Sequence, residues 1–551
     1  MIKKEIATLI EKSTKQLQKE KKLPEFEISE ILVERPAKIA HGDYSTNVAM
    51  TIGKETKKNP LEIAQNLKSK ILNPAPETSF RCGTSPAPSF ALVLGLKSGL
   101  FDKVEIAPPG FINFFLSKEY LQKQIGEILK EGEKFGQLKI GKNQKINVEF
   151  ISANPTGPLT LGNGRGGFCG DVLSNVLERA GFKVEREYYI NDRGEQIRKL
   201  GHSLIGDSQA VYRGKYIEDL RKRVKGVNPD KIGKIAAKII LKEMIKPAVE
   251  KMKINFDVWF SEESLYKKRE VERTLSYLKK KNLAYGKKGA LWFKSTKFGD
   301  DKDRVLIKAD GEETYFLSDI AYLKNKFARG FKHLIFFWGA DHYGYIKRME
   351  AAVKALGYEK KQADFIIMQL VRLFEKGKQI RMSKRTGIYL TIEELIDKVG
   401  LDVVRFFFLE RGPGSHLNFD LDLAKQRSEK NPVYYAQYAY ARIYSILRKV
   451  SGFRFQVSGL KLLNHPKELE LIKQLIRLPE IIEDTARDYQ VQRLPNYALE
   501  LVTAFHKFYE ECRVLSDDKK LTQARLGLVE ATKIILKNTL DLMGISAPER
   551  M

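Results

Sequence analysis

Ile146-Asn147-Val148-Glu149-Phe150-Ile151-Ser152-Ala153-Asn154-Pro155-Thr156-Gly157-Pro158-Leu159-Thr160-Leu161-Gly162-Asn163-Gly164-Arg165-Gly166-Gly167 decides how this chain folds. Ile146, Val148, Phe150 and Ile151 are β-prone apolar residues and predict a buried strand. The prolines and glycines that follow forbid regular structure and let backbone come close to a ligand. From Arg165 to Ala180 the apolar residues Phe168, Val172, Val176 and Leu177 recur at helical spacing, Gly181 ends that helix, and Val184 to Ile190 reads as a second strand. Such a strand-helix-strand unit aims free N–H groups and the positive end of a helix dipole at the loop, where a phosphate fits. The loop lacks the Gly-Lys-Ser/Thr of a P-loop and the spacing of a dinucleotide fingerprint. A tight turn with no ligand is the plainer alternative.

Far downstream, Arg381-Met382-Ser383-Lys384-Arg385 lies between Gly377 and Gly387. Three cations around a small polar residue can close over a polyphosphate and stabilise the charge that develops when a phosphoryl group is attacked. A basic run is more often a solvated face, so this loop gains weight only beside the first one.

With 551 residues the chain can build three or four domains around a large core. No eighteen-residue apolar run is present, and Met1 to Leu23 is an amphipathic Lys/Glu pattern without the apolar stretch of a signal peptide. A cytoplasmic protein is therefore expected, with no membrane partner. Cys82, Cys169 and Cys512 stand alone and the seven histidines are dispersed, which argues against a disulfide scaffold and a structural metal site. The net charge of +28 favours a polyanionic partner such as RNA, although part of it can simply solvate the surface.

Residues 1–118 mix helix-like and strand-like pieces and predict an α+β N-terminal domain. Residues 119–145 read as a connector, polar and Lys/Gly-rich from Glu131 to Lys145. A doubly wound, Rossmann-like parallel-sheet domain is expected over 146–424, interrupted by a helical insertion at about 195–303. Its sheet is expected to resume at Val305-Leu306-Ile307 and to continue through Leu334 to Phe337 and Phe365 to Met368. Beyond 425 only amphipathic helical stretches remain: Tyr434 to Val450, Leu469 to Tyr489, Pro495 to Leu515 and Leu521 to Leu542. Tyr434, Tyr435, Tyr438, Tyr440 and Tyr444 stand beside Arg442, Arg448 and Lys449, an interleaving that can stack bases and hold phosphates, or pack as core.

The two loops resemble the signature motifs of class I aminoacyl-tRNA synthetases: Thr160-Leu161-Gly162-Asn163 stands at the HIGH position and Arg381-Met382-Ser383-Lys384 at the KMSK position. Within that class the chain resembles arginyl-tRNA synthetases over roughly 450 to 500 residues. The segments that carry the resemblance include Gly42 to Ala49, Pro109 to Phe114, Asn154 to Pro158, Tyr188 to Asp192, Trp338 to His342, Asn431 to Tyr435 and Ser546 to Met551. Asn73 to Leu100 matches least.

The resemblance implies ATP-dependent activation of L-arginine followed by transfer to the terminal ribose of tRNA(Arg), with Mg²⁺ on the phosphates and a monomer as the working form. Thr160, Asn163, Arg381 and Lys384 are then the catalytic residues. Gly162, Gly164, Met382, Ser383 and His342 would line the nucleotide. Glu149, Asn154, Tyr315 and Asp319 would line the arginine, with Tyr315 and Asp319 on one helix face. The helical domain would read the anticodon, using Tyr435, Tyr438 and Arg442, and the N-terminal domain would touch the outer corner of the tRNA. No protein metal ligand is expected. Thr160 and Asn163 depart from the family's usual histidines while remaining hydrogen-bond donors. That departure motivates the alternatives: an adenylation-deficient tRNA-binding protein, or a synthetase for another amino acid.

Overall fold

The structure is a computed structural model that describes residues 1–27, 30–73, 99–380, 390–450 and 457–551. A five-stranded parallel sheet is built from β1 (Lys145–Glu149), β2 (Lys183–Ile190), β3 (Val258–Ser261), β4 (His333–Gly339) and β5 (Ala363–Met368), in the spatial order β5-β4-β1-β2-β3. Strand order reverses between β1 and β4, so the crevice beyond their carboxyl ends is where a doubly wound sheet binds its ligand. Both sheet faces are covered. Leu334 and Phe336 share a core with Ile320, Leu323 and Phe327 of helix α2 (Tyr315–Ala328), while Ile335 and Phe337 between them are also buried and point the other way. Helix α1 (Leu161–Arg179) connects β1 to β2 and packs closely: a Cβ on Gly170 would lie 2.3 Å from the Phe150 ring.

Two expectations need correction. Arg304–Ile307 belongs to a separate antiparallel sheet with Ala284–Lys287 and Ala290–Phe293, and Leu306 is buried there against α2. Three apolar residues specify a strand but not which sheet it joins. The insertion at 195–303 is also not purely helical, because Val258–Ser261 within it pairs with β2 and forms an edge of the parallel sheet. Helices Glu195–Ile205 and Pro229–Ile240 are the closest-packed pair in that region. A Cβ on Gly201 would stand 1.8 Å from the Pro229 carbonyl oxygen, and one on Gly233 2.0 Å from that of Ile197.

The chain divides into two compact units. One comprises residues 1–135, 442–480 and 500–536. In it a three-stranded antiparallel sheet (Tyr44–Thr46, Phe101–Ala107, Phe111–Leu116) is flanked by helices, among them Lys118–Glu131 within the expected connector. Arg35 reaches Glu480 at 2.9 Å, the Tyr44 hydroxyl donates to the same carboxylate at 2.6 Å, and the Gln122 amide donates to the Leu463 carbonyl at 3.0 Å. The other unit holds residues 136–441, 481–499 and 537–551. There the Arg405 guanidinium, 1% exposed, donates to the carbonyls of Met543 (2.9 Å) and Met252 (2.8 Å) and pairs with Asp171. Tyr489 donates to Asp364 at 2.9 Å, and His333 is 2.7 Å from the same carboxylate. Among the described residues, no helix is long and apolar enough to cross a membrane.

Candidate functional site

Past Glu149 the backbone turns abruptly, with Ile151 and Ser152 both at positive φ, 64° and 36°. Two consecutive non-glycine residues in that region cost on the order of 1–3 kcal/mol each and persist only where their surroundings hold them. Here Ser152 Oγ accepts the Tyr189 N–H at 3.0 Å and donates to Glu149 Oε1 at 3.3 Å. Two tyrosine hydroxyls pin the rest of the loop, Tyr188 to the Ala153 carbonyl at 2.9 Å and Tyr216 to the Thr156 carbonyl at 3.0 Å. The loop then enters α1, with Thr160 as its extended N-cap.

Asn163 Oδ1 accepts both the Thr160 N–H (3.0 Å) and the Thr160 hydroxyl (2.8 Å). Its carbonyl end is thereby committed to the cap, and its Nδ2 has no partner among the described residues. That amide joins the first-turn backbone N–H groups, which no intrahelical carbonyl can satisfy. Beside Gly162 the nearest atom to an added Cβ would be Thr160 Oγ1 at 3.9 Å, so space for a ligand is open there. Gly164 differs: an added Cβ would meet Ile392 Cδ1 at 2.5 Å, so the chain's own packing already requires glycine. Ile392 follows Thr391, which bridges Thr160, and the Ile392 N–H donates to the Leu159 carbonyl at 3.1 Å. Residues 381–389, with Arg381, Met382, Ser383 and Lys384, lie outside the described residues.

An acidic cluster occupies the carboxyl ends of β1 and β3 and the start of α2. Asp319 accepts the Tyr345 hydroxyl, and its carboxyl is pushed up to about 7, chiefly by burial and further by the charge of Glu149. Glu262, 2% exposed, accepts the Ser318 hydroxyl at 3.1 Å and is likewise raised to about 7, by burial and then by Asp319. Two carboxyls raised by desolvation, Asp319 further by the charge of Glu149 and Glu262 further by that of Asp319, form a site that a cation would stabilise.

Glu149 has a second environment. Its Oε2 accepts the Tyr322 hydroxyl at 2.8 Å and sits 2.9 Å from Lys326 Nζ, a fully buried ammonium that also pairs with Glu187 at 3.2 Å. Lys326 and Arg329, the latter 2.6 Å from Glu187, hold Glu187 down at about 2 despite its burial. Sequence reading missed both Glu262 and Lys326. Glu262 follows the four-residue strand that was hidden in the insertion, and nothing in a sequence distinguishes a buried lysine from an exposed one.

The remaining candidates are more dispersed. Tyr315 begins α2, is 44% exposed, and its hydroxyl accepts the Glu195 N–H at 2.9 Å. Asn154 is exposed in the loop. His342 is exposed just beyond β4, 5.8 Å from Trp338 between ring centroids. On helix α3 (Pro432–Arg448), Tyr438 is 36% exposed and stacks with Tyr434 at 6.2 Å, whereas Tyr440 is buried. Tyr435 is partly buried on the same helix, and Arg442 lies 5.5 Å from the Tyr509 ring.

Comparison with known proteins adds to this geometry. The profile of the arginyl tRNA synthetase N terminal domain matches residues 2–79, that of the class I (R) tRNA synthetase catalytic domain residues 124–222 and 207–404, and that of the DALR anticodon binding domain residues 436–551. The chain is 43% identical over 547 residues to an arginine–tRNA ligase of Carboxydothermus hydrogenoformans, covering 94% of each chain. With that of Caldanaerobacter subterraneus it is 42% identical over 578 residues, covering 100% of this chain and 99% of the relative. The solved arginyl-tRNA synthetase of Thermus thermophilus superposes with a TM-score of 0.77 at 20% identity, over 100% of both chains, a likeness of fold.

Proposed function

The chain belongs to the class I arginyl-tRNA synthetases, and from that premise we infer how its own residues serve the reaction. It activates L-arginine with ATP and transfers it to tRNA(Arg). Arginine's carboxylate attacks the α-phosphorus, pyrophosphate departs, and a terminal ribose hydroxyl of the tRNA then attacks the acyl carbon. Neither step uses a covalent enzyme intermediate, so the protein's part is positioning and electrostatic stabilisation.

The ATP phosphates lie against the first turn of α1, where the Asn163 amide donates to an oxygen of the α-phosphate. Gly162 leaves room for the nucleotide to approach, and His342 faces it from the end of β4. Arg381 and Lys384 hold the departing pyrophosphate, with Met382 and Ser383 beside the nucleotide. Magnesium would accompany the ATP phosphates and offset part of their charge.

Arginine's guanidinium enters between Asp319 and Glu262, with Tyr315 at the rim, and its α-ammonium end lies toward Glu149 and Asn154. The observation that carries this reading is the pair of carboxyls raised to about 7, Glu262 buried and Asp319 half-buried, beyond the carboxyl end of β3 and on the first turns of α2. Lys326 already pairs with Glu149, whereas among the described residues neither Asp319 nor Glu262 has an ion-pair partner within 4 Å. Tyr435, Tyr438 and Arg442 contact the tRNA, and the chain works in the cytoplasm as a monomer. Arginine-dependent ATP–pyrophosphate exchange, measured with and without tRNA, tests the assignment. Exchange is expected with arginine and tRNA together, and exchange with lysine or cysteine in place of arginine would overturn it.

A further inference from the structure

Arg165 is among the largest side chains in the molecule with no solvent exposure, and among the described residues no carboxylate lies within 4 Å of it. Among the described residues its guanidinium is held by backbone oxygens alone. Nη1 donates to the carbonyls of Gln369 and Ser415, both at 2.8 Å, and Nη2 to those of Gly412 at 2.9 Å and Arg411 at 3.4 Å. Nε has no partner. Burial without a counter-charge pulls the guanidinium below its ordinary value. An unpaired buried cation is costly, and core packing alone would be served more simply by an apolar residue.

What Arg165 joins suggests its use. It lies on the first turns of α1, two residues past Asn163. Gln369 directly follows β5, and 411–415 is the loop between helix Leu401–Leu409 and strand Leu417–Asp420. Those two segments pair with each other: the Gln369 N–H donates to the Pro413 carbonyl at 2.9 Å, the Leu417 N–H to that of Leu370 at 3.1 Å, and Val371–Glu375 runs parallel to Leu417–Asp420. Val371–Glu375 then turns back through Lys378–Ile380 toward residue 381. Beyond 389 the chain returns to the same helix, where Thr391 bridges Thr160 and Ile392 fills the space at Gly164.

We propose that Arg165 is a positioning residue that sets the distance between the phosphate-binding turn of α1 and the β-arm spanning Val371 to Ile380. Four carbonyls from two crossovers converge on one planar fork, so that α1 and the base of the arm move as one body. The inference rests on the functional reading above, because Arg381 to Lys384 directly follow the arm in sequence. Lysine cannot reproduce the fork, since a compact ammonium reaches at most three acceptors and not in one plane.

The test uses the full-length protein. Arg165→Lys should lower kcat for arginine-dependent pyrophosphate exchange about 10²-fold, the scale of a misplacement near 1 Å, while KM for arginine and the tRNA Kd stay within twofold. Arg165→Ala should regain at least tenfold of its lost rate in tens of millimolar methylguanidinium, with the wild type at the same concentrations correcting for competition with arginine. Wild-type kcat in the folded fraction of Arg165→Lys, a change in arginine KM alone, or failure of both variants to fold would overturn the proposal and leave Arg165 as a stabiliser of the whole fold. A wild-type chain without arginine-dependent exchange would instead overturn the functional reading.

Discussion

Asp319 and Glu262 hold their protons to about pH 7 because burial denies each carboxylate its water and each carries a like-charged neighbour. Between the ordinary carboxyl range near 4 and about 7 the folded chain binds more protons than the unfolded one, so their contribution to stability declines as pH rises and levels off above 7. Arginine reverses the preference, because a guanidinium favours the charged carboxylates and its binding expels protons. Arginine KM should therefore rise roughly tenfold for each carboxyl between pH 8 and pH 6, since a group one unit below its pKa is about 10% ionised. Steady-state kinetics at those two pH values would show it, and a flat KM would place the guanidinium elsewhere. Asp319→Asn should raise arginine KM by the equivalent of about 1.5–3 kcal/mol with ATP KM unchanged, and more than Glu149→Gln does, since Glu149 is already paired with Lys326. Asn163→Asp keeps the oxygen that caps Thr160 but loses the amide donor. It should cut kcat about 10²- to 10³-fold, and undiminished adenylate formation in single turnover would assign Asn163 to the cap alone. Thr160, Asn163, Glu149 and Asp319 could be singled out from the sequence because fixed motifs surround them. The protonation of Asp319 and the pairing of Glu149 could not, because the first depends on burial, Tyr345 and Glu149 and the second on Lys326 and Tyr322, which only the folded chain brings near.

The secondary-structure elements were legible where periodicity was long. The strands at β1, β2, β4 and β5 and the helix after Thr160 follow from apolar spacing. Val258–Ser261 escaped because four residues, Val-Trp-Phe-Ser, have no period of their own, and its place at the sheet edge is set by pairing with β2. The stretch from Leu469 to Tyr489 divides into Pro466–Leu475 and Leu478–Asp488, because Pro479 removes an N–H that a continuous helix would need. Gly201 and Gly233 add an element-scale prediction. Each lies where two helices touch backbone to backbone, so Gly201→Ala or Gly233→Ala should destabilise the region by at least the 1–3 kcal/mol typical of overpacking. Thermal unfolding would measure the loss, and an unchanged midpoint would show that the helices separate without cost.

At the scale of the whole molecule, a net charge of +28 makes tRNA affinity an ionic-strength measurement. Six to ten phosphate contacts would lose about 10³- to 10⁵-fold in affinity between 50 and 200 mM salt. Arg442→Ala should reduce the magnitude of the log–log slope by about one, whereas Tyr438→Ala should weaken binding by about 1–3 kcal/mol without altering the slope, because stacking releases no counterion. Filter binding across a salt series distinguishes the two, and equal slopes in all three proteins would remove Arg442 from the phosphate contacts. Deleting 425–551 is a poor test of anticodon reading, since it also strips 481–499 and 537–551 from the unit that holds the parallel sheet. The tie between Arg405 and the Met543 carbonyl therefore has a consequence in time. A ribosome releases Met543 138 residues after Arg405, about 7–28 s later at ordinary elongation rates. Throughout that interval the Arg405 guanidinium lacks the Met543 carbonyl that accepts its Nε–H in the finished chain, and the socket around it stands open. Products of premature termination inherit that open socket permanently and should be cleared by cellular proteases as unfinished protein.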